Sequence, residues 1–362
     1  MDVNTYLKSK NNQLKNTRHA IKDFSVFDFS YIPKQPLMRE EAKILIDAVL
    51  LYSHTGIPRN LAVFGSRGSG KTLLVLYSAR ALQREVNIKM LYANVRNHNT
   101  SFKILAHLLN VSARGASLDE LFNRFCKTYS EKTIVVLDEV DLISPKDRHM
   151  EILYLLSRSS NNYMVVLLSN SPRLIQAIDP SARSTLQPEM VHFKNYDAQQ
   201  IFEILHKRAR QGLQKYRKED LRCIAALTTR NTNSDVRVAI KSLFYSATET
   251  DLTIEEAFNR AGKDIVIDVI RDLNDKCLLI LESLRRTSGG FVKEVYQRYK
   301  RLSETVGEIP FSYVHFYNNL SYLQSSGLIL FVSAKVARTY TNRLRLLFDS
   351  SILEETFKRR FL

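Results

Sequence analysis

The residues Gly65-Ser66-Arg67-Gly68-Ser69-Gly70-Lys71-Thr72 fit the pattern G-x-x-x-x-G-K-[ST] in full. Glycines at these positions let backbone N–H groups converge on phosphate oxygens. Lys71 would meet the β- and γ-phosphates of a nucleoside triphosphate, and Thr72 would bind Mg2+. A helix opening at Lys71 would add the positive end of its dipole. The competing reading is a tight glycine turn with a chance lysine. The apolar "NLAVF" before the loop and the helical pattern after it argue against that.

Two further strand ends carry matching chemistry. "TIVVLDEVD" closes an apolar run with Asp138 and Glu139. A carboxylate there can face the metal held by Thr72, which leaves Glu139 to polarise an attacking water. The alternative is that the acids cap the next helix; Asp141 is open between a cap and a solvated charge. "VVLLSN" ends in Asn170, whose amide could hold the lytic water or serve only the turn. Arg237, in "NSDVRVAIKSL", opens a helix. Its guanidinium could report a γ-phosphate or simply be solvated.

The surrounding pattern says what must position these groups. From about Leu61 to Phe193, apolar runs ("NLAVFG", "IKMLYANV", "KTIVVLDEV", "YMVVLLSN", "MVHF") alternate with helical stretches such as "KTLLVLYSARALQRE", "SFKILAHLLNV" and "RHMEILYLLSR". This predicts an α/β domain, a parallel sheet with helices on both faces. After His192 the signal is purely helical, with box-type starts at Asp197/Gln200 and Thr253/Glu256. The last part reads as three helices, "DKCLLILESLRR", "GGFVKEVYQRYKRLSE" and "FSYVHFYNNLSYLQSSG". Two antiparallel strands follow, "LILFVSAKVA" and "NRLRLLFD", which suggests a winged helix. The expected divisions are a flexible basic arm at 1–24, a nucleotide-binding domain at 25–195, an all-helical lid at 196–268 and a winged helix at 269–362.

Lys and Arg total 53 against 37 Asp and Glu, a formal charge of +16. That excess suits a polyanionic partner, most simply nucleic acid, or a generally basic proteome. Cys126, Cys223 and Cys277 are too scattered for a disulfide framework or zinc site, and reduced thiols fit an intracellular chain. No apolar run reaches the ~20 residues of a membrane helix, so no membrane partner is expected. The polar N-terminus is no secretory signal.

Between Gly327 and Phe348 the chain holds Lys335, Arg338, Arg343 and Arg345 and no acid. On a hairpin these suit phosphate contacts or minor-groove insertion, with Arg338 nearest the tip. "PFSYVHFYNNL" would be the recognition helix. It offers Ser312, Tyr313, His315, Tyr317 and Asn318, while Phe316 and Leu320 are spaced for a core. A protein-docking winged helix is the other reading. In "SARGASLDELF", Ser117 and Glu120 start a capped helix whose N-terminus, with Arg114 close by, could meet a second phosphate.

The ordered set of motifs resembles AAA+ ATPases, and within them the archaeal replication initiators of the origin-recognition and cell-division-cycle loader type. "YIPKQPLMREEAKIL" is similar to the family's leading Pro-containing box, which helps enclose adenine, with Arg39-Glu40 beginning a helix. "LYANVRN" resembles its Tyr-x-Asn strand through Tyr92 and Asn94. "VSARGASLDELFNRF" resembles its initiator-specific insertion, which touches DNA in the family. Three departures stand out: Ser234 replaces a glycine before the Arg237 helix, "AKVARTYTN" replaces a glycine-bearing wing, and Asp179-Pro180-Ser181 lacks the usual arginine. An arginine-finger role is therefore not carried over to Arg183.

The resemblance implies ATP or ADP with Mg2+, a slow, switch-like ATPase, and binding of double-stranded origin DNA in the cytoplasm, associated with the nucleoid. It also implies the replicative helicase ring, and paralogous initiator subunits, as partners. A helicase-loader motor and an ATP-gated transcription regulator are the competing functions.

Overall fold

Five short runs, β1 (Leu61–Gly65), β2 (Lys89–Asn94), β3 (Thr133–Asp138), β4 (Met164–Ser169) and β5 (Glu189–Phe193), form one sheet. Its order is β2-β3-β4-β1-β5, and every neighbouring pair is parallel. These are the five runs read from the sequence. The computed structural model describes residues 2–3, 21–112, 114–144, 147, 150–171, 174–249, 251–288, 290–336 and 339–361. It describes their side chains except those of 177, 325, 333–336 and 339–341. The chain divides into two compact units, Ile32–Asn195 and Met1–Tyr31 with Tyr196–Leu362.

In the first unit β3 and β4 are buried at every position. Side chains alternate along a strand, so each strand feeds two cores. Ile134, Val136, Val166 and Leu168 pack with Tyr52 and Val49 of the helix Glu40–Thr55 and with Leu74 and Leu82 of the helix Lys71–Glu85. Val135, Leu137, Val165 and Leu167 pack with Ile104 and Leu105 of Ser101–Leu109, Phe125 of Leu118–Thr128 and Leu153 of Glu151–Arg158. Each such side chain contributes about 1.5–3 kcal/mol by leaving water. Because the strands are parallel, the loops after β1, β3 and β4 emerge at one edge, where ligands bind in such sheets.

The second unit opens with four helices, Ala198–Gly212, Lys218–Asn231, Val236–Thr248 and Ile254–Arg271. Complete capping boxes form at Asp197/Gln200 and Thr253/Glu256. Ile21 bridges to Leu213, and Arg208 donates to the carbonyls of Val26 and Asp28. The stretch from Ile21, inside the expected arm, to Asp28 thus lies against the first helix and its C-cap, while residues 1 and 4–20 lie outside the described set.

Helices Asp275–Arg285, Val292–Thr305 and Tyr313–Ser325 precede the antiparallel pair β6 (Ile329–Val336) and β7 (Thr339–Leu346). This is the arrangement expected of a winged helix. β7 starts at Thr339, earlier than "NRLRLLFD" suggests, because Thr339 to Thr341 continue the ladder. A final helix, Ser350–Phe361, was not read from the sequence. It buries Ile352, Leu353 and Phe357 in the same core as Phe316 and Leu320.

Candidate functional site

The phosphate loop is shaped by close approaches. A Cβ at Gly65 would lie 2.5 Å from the carbonyl oxygen of Phe193 on β5, so the end of β1 tolerates no side chain. Gly68 and Gly70 have φ of 77° and 84°, the left-handed region that favours glycine. Ser69 Oγ donates to Ser66 O at 2.8 Å and closes the turn. Lys71 is buried, and its Nζ donates to Gly65 O and Ser66 O, both at 2.8 Å, and to Asn170 Oδ1 at 3.2 Å. The expected lysine and the expected amide, 99 positions apart, therefore touch.

Thr72 and Asp138 also meet. Thr72 Oγ1 donates to Asp138 Oδ2 at 2.8 Å, and the Tyr92 hydroxyl donates to the same oxygen at 2.9 Å. Burial pushes the Asp138 carboxyl above its usual range, while these two hydrogen bonds pull the other way. Burial, and then the Asp138 charge, push the Tyr92 phenol up. A hydroxyl and a carboxylate side by side are hard oxygen donors that fit Mg2+. Among the described residues no group of three or more His, Cys, Asp or Glu could hold a metal. Thr72 and Asp138 would leave Mg2+ room for phosphate and water ligands.

Glu139 stands next to this pair with φ of 54°, uncommon for a residue with a side chain. Its carboxylate is held by Arg96, with Nε to Oε2 at 2.7 Å and Nη2 to Oε1 at 3.5 Å. Arg96 follows β2, whose last residue Asn94 is in register with Asp138. Sequence reasoning missed this partner, yet strand adjacency contains it: a cation just past β2 must lie beside an acid just past β3. Asp141 is neither of the things expected of it. Its Oδ1 accepts from Ser169 Oγ at 2.8 Å and from Asn170 N at 3.2 Å, so it fastens the end of β4.

In the second unit, Arg237 starts its helix as read and pairs with its own N-cap, Asp235, with Nε to Oδ1 at 2.9 Å. Of the candidate DNA residues, Ser312 is the N-cap of Tyr313–Ser325 and accepts from His315 N. Tyr313 is exposed and meets Tyr296 edge-on. Phe316 and Leu320 are fully buried, as their spacing predicted. Tyr317 turns inward against Phe331 and accepts from Asn342. Arg343 is exposed on β7, its guanidinium 5.0 Å from the Phe291 ring centroid. Lys335 pairs with Tyr340 through the ladder, but its side chain, like all of Arg338, lies outside the described residues. In the first unit Arg114 is exposed before the helix Leu118–Thr128, whose Ser117/Glu120 capping box is complete. It lines an open recess of about 580 Å3 with His98, Lys103 and His107.

A family model for the AAA domain matches residues 57–178. The ORC1-type DNA replication protein 1 of Sulfolobus acidocaldarius is 30% identical, with 76% of this chain and 77% of that protein covered. The chain belongs to the ORC1-type DNA replication proteins. The fold of this family extends over nearly the whole chain. The Aeropyrum pernix ORC1 protein, solved in complex with DNA, superposes with a TM-score of 0.70 at 24% identity, covering 94% of this chain and 97% of that one. The Aeropyrum pernix ORC2 protein, solved as ADPNP–ADP complexes, gives 0.58 at 22% identity, covering 94% and 99%. Among the described residues of this ORC1-type chain, no helix is long and apolar enough to cross a membrane.

Proposed function

We propose that this chain is an ATP-dependent replication initiator that binds origin duplex DNA and helps recruit the replicative helicase. The supporting observation is the meeting, at one sheet edge, of Lys71 with Asn170 and of Thr72 with Asp138 in an ORC1-type chain. The DNA complex of one similar protein and the nucleotide complexes of another are in keeping with this reading.

The roles follow from chemistry. The loop 65–72 cradles ATP or ADP, and Lys71 meets the β- and γ-phosphates. Thr72 and Asp138 hold Mg2+, which when bound neutralises phosphate charge. Glu139 takes the proton of the attacking water, Asn170 orients that water, and Arg237 reports the γ-phosphate. Glu139 acts after leaving Arg96, which slows hydrolysis several-fold, and the bound nucleotide serves as a switch. Residues 25–195, 196–268 and 269–362 are the working domains. Ser312, Tyr313, Lys335, Arg338 and Arg343 contact DNA from the winged helix and Arg114 from the ATPase domain. Paralogous initiator subunits are further partners. The site of action is the cytoplasm, at the nucleoid.

Mapping of DNA bound in native cells tests the reading. Occupancy at replication start sites is expected. Occupancy at promoters alone would replace it with a transcription regulator, and rapid, DNA-stimulated, processive hydrolysis would replace it with a motor.

A further inference from the structure

The chain passes between its two units at Tyr31–Ile32 and again at Asn195–Tyr196. Within the unit Ile32–Asn195, the residues just inside both passages are stitched to the phosphate loop by one buried arginine. Arg39 is only 7% exposed. Its Nη1 donates to Ser69 O at 3.1 Å, and its Nη2 donates to Lys194 O at 2.8 Å and to Glu41 Oε1 at 3.0 Å. The same Glu41 oxygen accepts from Lys194 N at 3.1 Å. Both backbone groups of Lys194 are therefore bound by one ion pair. Asn195, next in the chain, accepts a hydrogen bond from Ser66 Oγ of the loop. The guanidinium also lies 5.6 Å from the Phe193 ring centroid.

A G-x-x-x-x-G-K-[ST] loop does not by itself call for an arginine 30 residues upstream. What this one fixes follows from peptide geometry. The Ser69 C=O and the Gly70 N–H share one planar, trans unit and point in opposite directions. Anchoring the oxygen on Arg39 turns the Gly70 N–H the other way, in the loop whose N–H groups converge on phosphate. A planar fork can bind two carbonyls and a carboxylate at once, which a single ammonium reproduces poorly.

We infer that Arg39 is a positioning residue for nucleotide binding, presetting the Gly70 donor and tying the loop to Lys194 and Asn195, where the chain leaves this unit. This rests on the reading that the loop binds nucleotide. Movement of the loop on nucleotide entry then reaches Lys194 and Asn195 through these bonds.

The test uses the full chain as wild type, Arg39→Ala, Arg39→Lys, Asn195→Ala and the Arg39→Lys/Asn195→Ala double variant. Affinity is read by titration with a fluorescent ADP analogue, and backbone hydrogen exchange across 190–200 is read with and without ADP. Arg39→Ala should weaken binding about tenfold or more, the scale of a lost charge-assisted hydrogen bond. Arg39→Lys should recover part of that loss. The loss should fall on KM more than on kcat, a split that a general loss of structure would not give. ADP-dependent protection at 194–196 should disappear in Arg39→Ala and shrink in Asn195→Ala, and the double variant should be non-additive.

Should Arg39→Ala not fold, Arg39→Lys and Asn195→Ala carry the test, Asn195 being exposed. Affinities of both within about twofold of wild type, or unchanged exchange at 194–196, would overturn the inference alone. A wild-type chain that takes up no ADP analogue would instead overturn the nucleotide reading, and this positioning role with it.

Discussion

Replacing Arg96 by alanine should accelerate ATP hydrolysis. The guanidinium holds Glu139 through contacts of 2.7 and 3.5 Å, and the two side chains are 32% and 24% exposed. A fully exposed pair is worth about 0.2–1 kcal/mol. A charge-assisted hydrogen bond sheltered from water is worth about 1.5–3 kcal/mol. Partial burial sets this pair near 1 kcal/mol. If Glu139 must be freed before it can polarise water, that energy is part of the barrier. Its removal then raises the single-turnover rate about fivefold. The assay is single-turnover hydrolysis at saturating ATP, with Glu139→Gln as a control that binds ATP and leaves it intact. Salt supplies an internal check, because a partly exposed pair is partly screened. The wild-type rate should climb with ionic strength toward that of Arg96→Ala, whose own rate should stay flat. An Arg96→Ala chain that binds ATP normally and hydrolyses it no faster than wild type would refute the restraint.

Gly65→Ala should destabilise the first unit by about 1–3 kcal/mol in urea unfolding, because its Cβ would meet the Phe193 carbonyl at 2.5 Å; a loss below about 0.5 kcal/mol would mean that β1 and β5 part freely. Arg343→Ala should weaken duplex binding and lower the salt slope by about one; an unchanged slope would take this residue off the DNA backbone. Asp138 has a carboxyl raised by burial, so between its ordinary value near pH 4 and the raised folded value the native chain keeps a proton that the unfolded chain has lost. Stability of the metal-free protein must then fall as pH rises through that window; melting in chelator should show a smaller fall in Asp138→Asn, and parallel curves would reject the claim.

The sheet was legible because burial on both faces leaves a continuous apolar run, and the runs ending at Gly65, Asp138 and Ser169 all sit in the interior of the strand order. Phe316 and Leu320 were legible from helical spacing alone. The helix Ser350–Phe361 was not. It carries Lys358, Arg359 and Arg360 on its last turn, and its apolar residues matter only because the winged-helix core is there to receive them. Side-chain partners were the least legible part of the site. Asp141 reads from its neighbours as a cap or a solvated charge, and only the folded sheet brings Ser169 and the Asn170 N–H to its oxygen. Arg39 reads as the start of a helix, whereas its role is set by Ser69 and Lys194, 30 and 155 positions away.

The partner exchanges bear on switch against motor. The groups proposed for ATP chemistry each have a protein partner: Lys71 has Asn170 and loop carbonyls, Thr72 has Asp138, Glu139 has Arg96 and Arg237 has Asp235. On the proposed reading, a nucleotide that engages these groups would take the place of such bonds, and part of its binding energy would go into the exchange. Such an exchange would change discrete contacts at three neighbouring strand ends, which is the kind of difference a ligand needs in order to shift a conformational equilibrium. A motor gains by shortening the time spent on each such exchange. A switch gains by lengthening it, and the Arg96 grip on Glu139 acts in that direction.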